Sequence, residues 1–455
     1  MKAVAAPKIL PMPKTLRYTL LTLRDLALSV GPFVLLAVAL LYLAYWWLDP
    51  NPPKRVTLAT GPAQSAYAEF GTRYQKAMAA YGIEVVLLAS EGSSDNLQLL
   101  LQGQADLGFV QGGSRAAVEA DSNTPLSLGS LFLEPVWLFY RADAAKQATT
   151  SDTLNSLTQL KGLRINVGTP GSGVPKLMQG LFELNRLEAS DLRLSQLDQT
   201  AATVAFLGAD VDALVFASAP ESLMVQMLLQ TPGVKLLNFA QNEAYSRRLP
   251  FLAPVSLPRG VVDLAADVPA QDVRLVAPTT TLLARPATHP AILQLFSQAS
   301  LALHGNAGWF SRSHEYPVAA NAEFPLAKEA ERTIRSGVPL LQRYLPFSLA
   351  NLLERMWLSL GIILALLLPL SRIVPPLYEF RIRSRVFRWY AQLRDIESRM
   401  EAAPGDAKAL VDEINQLEAR VGKVVVPLSH ADELYALRNH IEMVRKRLQG
   451  AQGMV

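Results

Sequence analysis

Apolar and polar positions divide the chain into three regimes. From Leu26 to Leu48 the segment LALSVGPFVLLAVALLYLAYWWL carries no charge between Asp25 and Asp49. About 20 apolar residues suffice to cross the hydrocarbon of a bilayer, so this run predicts a transmembrane helix. Tyr42, Tyr45, Trp46 and Trp47 crowd its C-terminal end, where amphipathic rings favour the headgroup region. A cleaved signal peptide would need a shorter apolar run followed by small residues, whereas Ala44–Pro50 reads AYWWLDP. A second run, Met356–Ser371 (MWLSLGIILALLLPLS), lies between Arg355 and Arg372 and reaches back to Pro346 if Glu354 and Arg355 sit at the interface. By length alone it also fits a buried core helix.

Between these runs the pattern alternates. Short apolar or β-branched stretches at Arg55–Thr60, Ile83–Ser90, Ala105–Gln111, Val136–Arg141, Leu163–Gly168, Asp212–Ala217 and Val234–Phe239 predict strands, and segments such as Asp95–Gln102 and Val174–Leu187 have helical spacing. This is the α/β pattern of helices covering a mainly parallel sheet. Roughly 300 residues exceed one ordinary domain, so two lobes are expected. After the second apolar run the period is helical throughout. Ile382, Val386, Trp389, Leu393, Ile396 and Met400 form one stripe, Leu410, Ile414, Leu417 and Val421 a second, and Leu434, Leu437, Ile441, Val444 and Leu448 a third. Ala403-Pro404-Gly405 separates the first two, and Pro427-Leu428-Ser429 with Asp432 predicts the start of the third.

Composition sharpens this layout. Half of the 455 residues are hydrophobic although 18% are charged, which places part of the apolar excess in lipid. The net charge of +4 does not point to nucleic acid, because no basic stripe is interleaved with aromatics. The basic residues instead flank the apolar runs: Lys2, Lys8, Lys14, Arg17 and Arg24 precede the first, and Arg372, Arg381, Arg383, Arg385, Arg388 and Arg394 follow the second. By the positive-inside rule both tails are then cytoplasmic and the region from 49 to about 345 is exported. The absence of cysteine excludes disulfides, thiol chemistry and Cys-ligated metal.

Candidate chemistry gathers where strands give way to helices, which is where open α/β sheets hold ligands. The successive strand ends read Thr60-Gly61-Pro62-Ala63-Gln64-Ser65-Ala66-Tyr67, Ser90-Glu91-Gly92-Ser93-Ser94-Asp95-Asn96, Gln111-Gly112-Gly113-Ser114 and Gly168-Thr169-Pro170-Gly171-Ser172-Gly173. Glycine allows close backbone approach, Ser and Thr cap helices or bind ligands, and the free N–H groups of a helix start favour an anion. Each loop alone is an ordinary capped turn; four around one sheet predict a polar site for a small acidic solute. Glu134, before Pro135, is either an acceptor for a substrate amine or a solvated edge carboxylate.

The order LATGPAQSAY, VVLLASEGSSDNLQLLLQGQADLGFVQ, LGSLFLEPVWLFYR and LKGLRINVGTPGSG resembles the TAXI subfamily of receptors for tripartite ATP-independent periplasmic (TRAP) transporters, over residues 55–305. The stretch FPLAKEAERTIRSGVPLLQRYLPFSLANLLER resembles the membrane-attached branch of that family. The resemblance implies a two-lobed periplasmic binding protein fold with crossovers near Arg141 and at Asn238 to Asn242. Lobe one would be 55–141 plus 240–305, and lobe two 142–239. It further implies that Thr60, Gly61, Ser90, Gly92, Ser93, Asn96, Gln111, Thr169, Ser172 and Gly173 line the interlobe cleft, with Tyr67 and Glu134 added as candidates from their own loops. Relatives are richer in glycine in the first loop and bind dicarboxylates and acidic amino acids; a small organic anion or acidic amino acid is expected here too, with its identity left open by the altered loop.

Catalytic signatures are missing. The histidines His289, His304, His314, His430 and His440 make no His-Glu-x-x-His helix, Lys176 is misplaced for a phosphate loop, and there is no Gly-x-Ser-x-Gly elbow. The expectation is therefore a binding protein without enzyme activity, metal or cofactor. Its expected organisation is a cytoplasmic segment 1–25, a span 26–48, a binding domain 55–305, a connector 306–345, a span 346–371 and a cytoplasmic coiled-coil-like tail 372–455. Its expected partners are a small organic acid or amino acid, TRAP-type permease subunits and the bacterial inner membrane. A sensor that couples external binding to the internal helices has the same layout, with no phosphotransfer or nucleotide motif to support it.

Overall fold

The computed structural model describes residues 14–49, 51–63, 65–114, 123–149, 151–220, 222–319, 323–402, 407–424, 426 and 431–452. Lys2, Lys8, Gln64, His430, the break at Ala403-Pro404-Gly405 and the start signal at Pro427-Leu428-Ser429 lie outside the described residues. Breaks between compact units fall at Asp49/Pro50 and Leu352/Leu353.

The larger unit is built on strands β1 (Arg55–Ala59), β2 (Glu84–Leu88), β3 (Leu107–Gln111), β4 (Leu126–Leu133), β5 (Val136–Arg141), β6 (Arg164–Asn166), β7 (Arg193–Ser195), β8 (Ala213–Ala217), β9 (Val234–Leu236), β10 (Leu252–Leu257) and β11 (Val273–Ala284). They form two sheets, ordered β10-β11-β3-β1-β2 with β4 also on β11, and β7-β6-β8-β5-β9. In the first, β1 runs parallel to β2 and β3. In the second, β6 runs parallel to β7 and β8. Strands β1, β2, β6 and β7 each lead into a helix, the covering crossover that parallel pairing requires. Strand β3 is buried at every position, which is why Leu107–Gln111 reads apolar without alternation.

Each sheet has its own core. Val56, Leu58, Tyr74, Phe109, Leu282 and Phe296 pack in the first lobe. Trp137, Phe139, Ile165, Leu181, Phe206 and Val215 pack in the second. The two-lobed α/β architecture expected from the pattern is thus present, with its first crossing earlier than near Arg141. Strand β5 pairs with β8 and β9, so the first crossing falls at Glu134–Pro135, before Val136–Arg141 and not after it. At the second, pairing and packing divide the chain at different points: after Asn238–Asn242 the chain enters β10, which joins the first sheet through β11. Leu252, Leu257, Leu275 and Val276 belong to the core of the second lobe, while Leu282 and Ala284 belong to the first. The long strand β11 therefore passes through both lobes, its N-terminal half paired with β10 and its C-terminal half with β3 and β4. The division falls at Pro278, a residue without a backbone N–H, where the pairing partner changes from β10 to β4. The two crossings touch, since the Glu134 N–H donates to Pro278 O at 2.9 Å.

The other unit is helical. Two helices are long and apolar enough to cross a membrane, by length and composition: Val30–Leu48 and the stretch that starts at Phe347. Helices Val374–Ala402, Ala407–Val421 and Ala431–Gln452 bury the three predicted stripes against one another, with Val386, Leu393, Ile414, Leu417, Leu437 and Ile441 at the centre. Ion pairs Arg383–Glu433, Arg399–Glu413 and Arg445–Glu418 join these helices at their rims. Exposed pairs of this kind contribute up to about 1 kcal/mol each, so the apolar seam carries the packing.

Candidate functional site

The helix starts of the two lobes face a common cleft. Ser65 Oγ accepts the Ala68 N–H at 3.3 Å at the head of helix Ala66–Ala79. Gly92 opens helix Ser93–Leu101. In the second lobe Gly173 precedes helix Val174–Leu184, and Asp198 Oδ1 accepts the Thr200 and Ala201 N–H groups at 2.9 Å at the head of helix Gln199–Leu207. Between them lies a cavity of about 380 Å³.

Of the residues singled out from the sequence, Tyr67, Gly92, Glu134, Thr169 and Ser172 line this cavity. Thr60, Gly61, Ser90, Ser93 and Asn96 do not reach its wall. They hold the loops that do. Asn96 is fully buried, and its Nδ2 donates to Thr60 O and, at 2.8 Å, to Phe109 O. Ser90 Oγ donates to Asn96 Oδ1 at 2.7 Å and accepts the Gly92 N–H at 3.1 Å. Ser93 Oγ accepts the Gln111 N–H at 2.7 Å, and the Thr60 hydroxyl donates to Leu88 O at 3.2 Å. Gln111 and Gly173 line a smaller recess of about 160 Å³ together with Lys176 and Phe251.

The sequence reading missed Asn166, Asp198, Gln199, Thr200, Phe216 and Ser218, which complete the wall from the second lobe. Asp198-Gln199-Thr200 follows β7 as a capped helix start, the same signal used for the other loops. Ser218 and Phe216 come from the end of β8, a strand that the sequence did indicate. Arg141 is not on the cavity wall: its guanidinium lies 3.5 Å from Asp212 and 3.2 Å from Asp143.

Glu134 is the central polar group. It sits at the first crossing, is 3% exposed, and is no solvated edge carboxylate. Its Oε2 accepts from the Tyr67 hydroxyl at 2.8 Å and from Gln111 Nε2 at 3.3 Å. Burial pushes its carboxyl up to about 7 against the hydrogen bonds from Thr280, Tyr67 and Gln111, which pull it down. The same burial, with Glu134 beside it, raises the Tyr67 phenol well above its ordinary value, so it remains a donor at neutral pH. The lining holds three carboxyl groups, Glu91, Glu134 and Asp198, and no Lys or Arg among the described residues. That charge runs against the expected acidic solute. Thr169 presents a hydroxyl with no protein partner among the described residues.

The lobes touch at the rim of the cavity. Glu91 Oε2 accepts the Gly171 N–H at 3.1 Å, and Gly92 lies against the backbone of Ser172. Such an arrangement encloses a small molecule with hydroxyl, amide and carboxyl groups from both sides. Among the described residues no group of His, Asp or Glu is placed to hold a metal ion.

A model of the NMT1-like family matches residues 58–288, just over half of the chain. No curated protein matches it. Among solved structures, the periplasmic aliphatic sulphonate binding protein SsuA from Escherichia coli shares 16% identity and a TM-score of 0.35, covering 69% of this chain and 83% of its own. The alkanesulfonate-binding protein SsuA from Xanthomonas axonopodis pv. citri, bound to MOPS, shares 18% identity and a TM-score of 0.31 over 41% of this chain and 61% of its own. A structure from Bordetella bronchiseptica RB50 shares 16% identity and a TM-score of 0.39 over 55% of this chain and 70% of its own.

Proposed function

Because the chain belongs to the NMT1-like family, we propose that it is a membrane-tethered solute-binding receptor whose lobes close on a small solute outside the cytoplasmic membrane. The carrying observation is the cavity of about 380 Å³ between two separately cored lobes, walled by strand ends and helix starts of both. A wall of that kind is completed only when the lobes approach, so solute affinity favours the closed form and closure becomes the signal. The crossings at Glu134–Pro135 and within β11 act as the hinge. The closed receptor presents its solute to a permease of the TRAP type, as the resemblance to the TAXI receptors implies. The three-helix tail serves as an anchor on the cytoplasmic side.

The absence of cysteine makes closure directly measurable. Spin labels on Lys76→Cys in the first lobe and Glu183→Cys in the second, both exposed positions, report the interlobe distance in the full chain. Small molecules released from the purified protein and added back to the emptied protein should shorten that distance. A fraction that raises the melting temperature while leaving the distance unchanged rules out closure.

A further inference from the structure

We infer that the cavity takes a solute bearing a cationic nitrogen, such as a primary ammonium or an amidinium, and that Glu134 at the hinge reads that charge. This deepens the receptor reading above and rests on it. Among the described residues every group that bonds the Glu134 carboxyl is neutral: the hydroxyls of Tyr67 and Thr280 and the amide of Gln111. Among the described residues no lysine, arginine or histidine pairs with it. A carboxylate taken out of water without a cation is costly unless it keeps its proton or receives a positive charge. Glu134 lines the cavity, so that charge has a way in.

The rest of the wall agrees in sign. Glu91 from the loop after β2 and Asp198 from the loop after β7 are the other charged groups on it, and no lysine or arginine opposes them among the described residues. Glu91 and Asp198 are exposed and Glu134 is buried, so the three carboxyl groups give one sign of charge from the mouth of the cleft to its interior. Tyr67 and Phe216 bring aromatic residues to the wall from the two lobes. The volume, near the lower end of the usual range of about 300–1,000 Å³ for small-molecule sites, admits a solute the size of an amino acid or a short polyamine.

The rival is an acidic solute that accepts a hydrogen bond from protonated Glu134. The two differ in the sign of their pH dependence. A cation needs the ionised carboxyl, whose midpoint burial places at about 7, so its affinity rises with pH; an anion needs the proton, so its affinity falls. The Tyr67 phenol facing Glu134 stays protonated throughout, and Glu91 and Asp198 are the remaining ionisable groups on the wall.

Titration calorimetry on the emptied full chain in detergent tests this with putrescine, agmatine and L-lysine as one probe set and succinate, glutarate and methanesulfonate as the other. The side-chain and terminal amines chosen remain charged between pH 6 and 8. At least one amine probe should bind, with affinity rising about tenfold from pH 6 to pH 8, and no probe of the second set should bind. Glu134→Gln, which keeps the shape and the hydrogen bonds, should weaken amine binding roughly ten- to hundred-fold. The melting temperature of the empty variant checks its fold, and the pH profile of the unaltered protein stands without it. Binding confined to the acids, amine affinity that falls with pH, or amine binding untouched in a folded Glu134→Gln protein overturns the inference and leaves the receptor reading intact. If neither set binds, the inference and the receptor reading fall together.

Discussion

Asn96 spends its whole side chain on the protein. Its amide ties the end of β1 to β3 and holds Ser90, so the loop carrying Glu91 and Gly92 is set by a group that never meets the solute. Thr169 is its counterpart, with a hydroxyl on the cavity wall and no partner among the described residues. The two substitutions therefore separate. Asn96→Ala leaves buried acceptors unpaired and should lower stability by about 2–3 kcal/mol, read as a drop in melting temperature of the empty protein. Thr169→Val is nearly isosteric and should leave that temperature unchanged while weakening binding of the co-purified solute about tenfold. A destabilised Thr169→Val protein, or a thermally unaffected Asn96→Ala protein, contradicts these roles.

At the scale of elements, the junction of β2 with helix Ser93–Leu101 forms part of the lobe contact. Gly92 has φ 135°, and a Cβ placed on it would stand 2.9 Å from Ser172 Cα across the cleft. Gly92→Ala meets both backbone strain, about 1–3 kcal/mol, and a rigid neighbour. It should keep the lobes from closing fully, lengthen the interlobe label distance in the presence of solute and reduce affinity at least tenfold. Gly82→Ala is the control, since Gly82 also has a positive φ, 70°, but open space around it. That variant should lose stability without losing affinity; equal loss of affinity in both would make the effect one of strain alone. Strand β11 is the other element with two roles, because one continuous run belongs to both cores. A small twist at its midpoint reorients one lobe against the other without breaking either sheet.

For the whole molecule, the proposed tethering predicts that residues 55–340 are exported and that both tails are cytoplasmic. That prediction rests on the arginines that follow Ser371 and the basic residues that precede Leu26, read by the positive-inside rule. Periplasm-active reporters should be active when fused after Gly305 and silent when fused after Gln449. Activity at Gln449 would invert the topology and remove the tail from the cytoplasm.

Local pattern was enough for the α/β order, the helical starts and the three tail stripes, because each depends on the spacing of residues along the chain. Val386, Ile414 and Ile441 are buried where their periods put them. The strand ends were also legible as polar loops, since Gly, Ser and Thr at a strand-to-helix turn have a local physical reason. Which of those residues touch the cavity was not. Asn96 and Thr169 occupy similar loops, yet one is consumed by backbone acceptors brought from β1 and β3 and the other is free, a distinction made by contacts distant in sequence. Which core each half of β11 enters was not legible either, since Pro278 marks where its pairing partners change but those partners come from segments distant in sequence. Glu134 is the clearest case: a lone carboxyl before a proline reads as an exposed edge group, and only the folding of Tyr67, Gln111 and Thr280 around it makes it a buried charge facing a cavity.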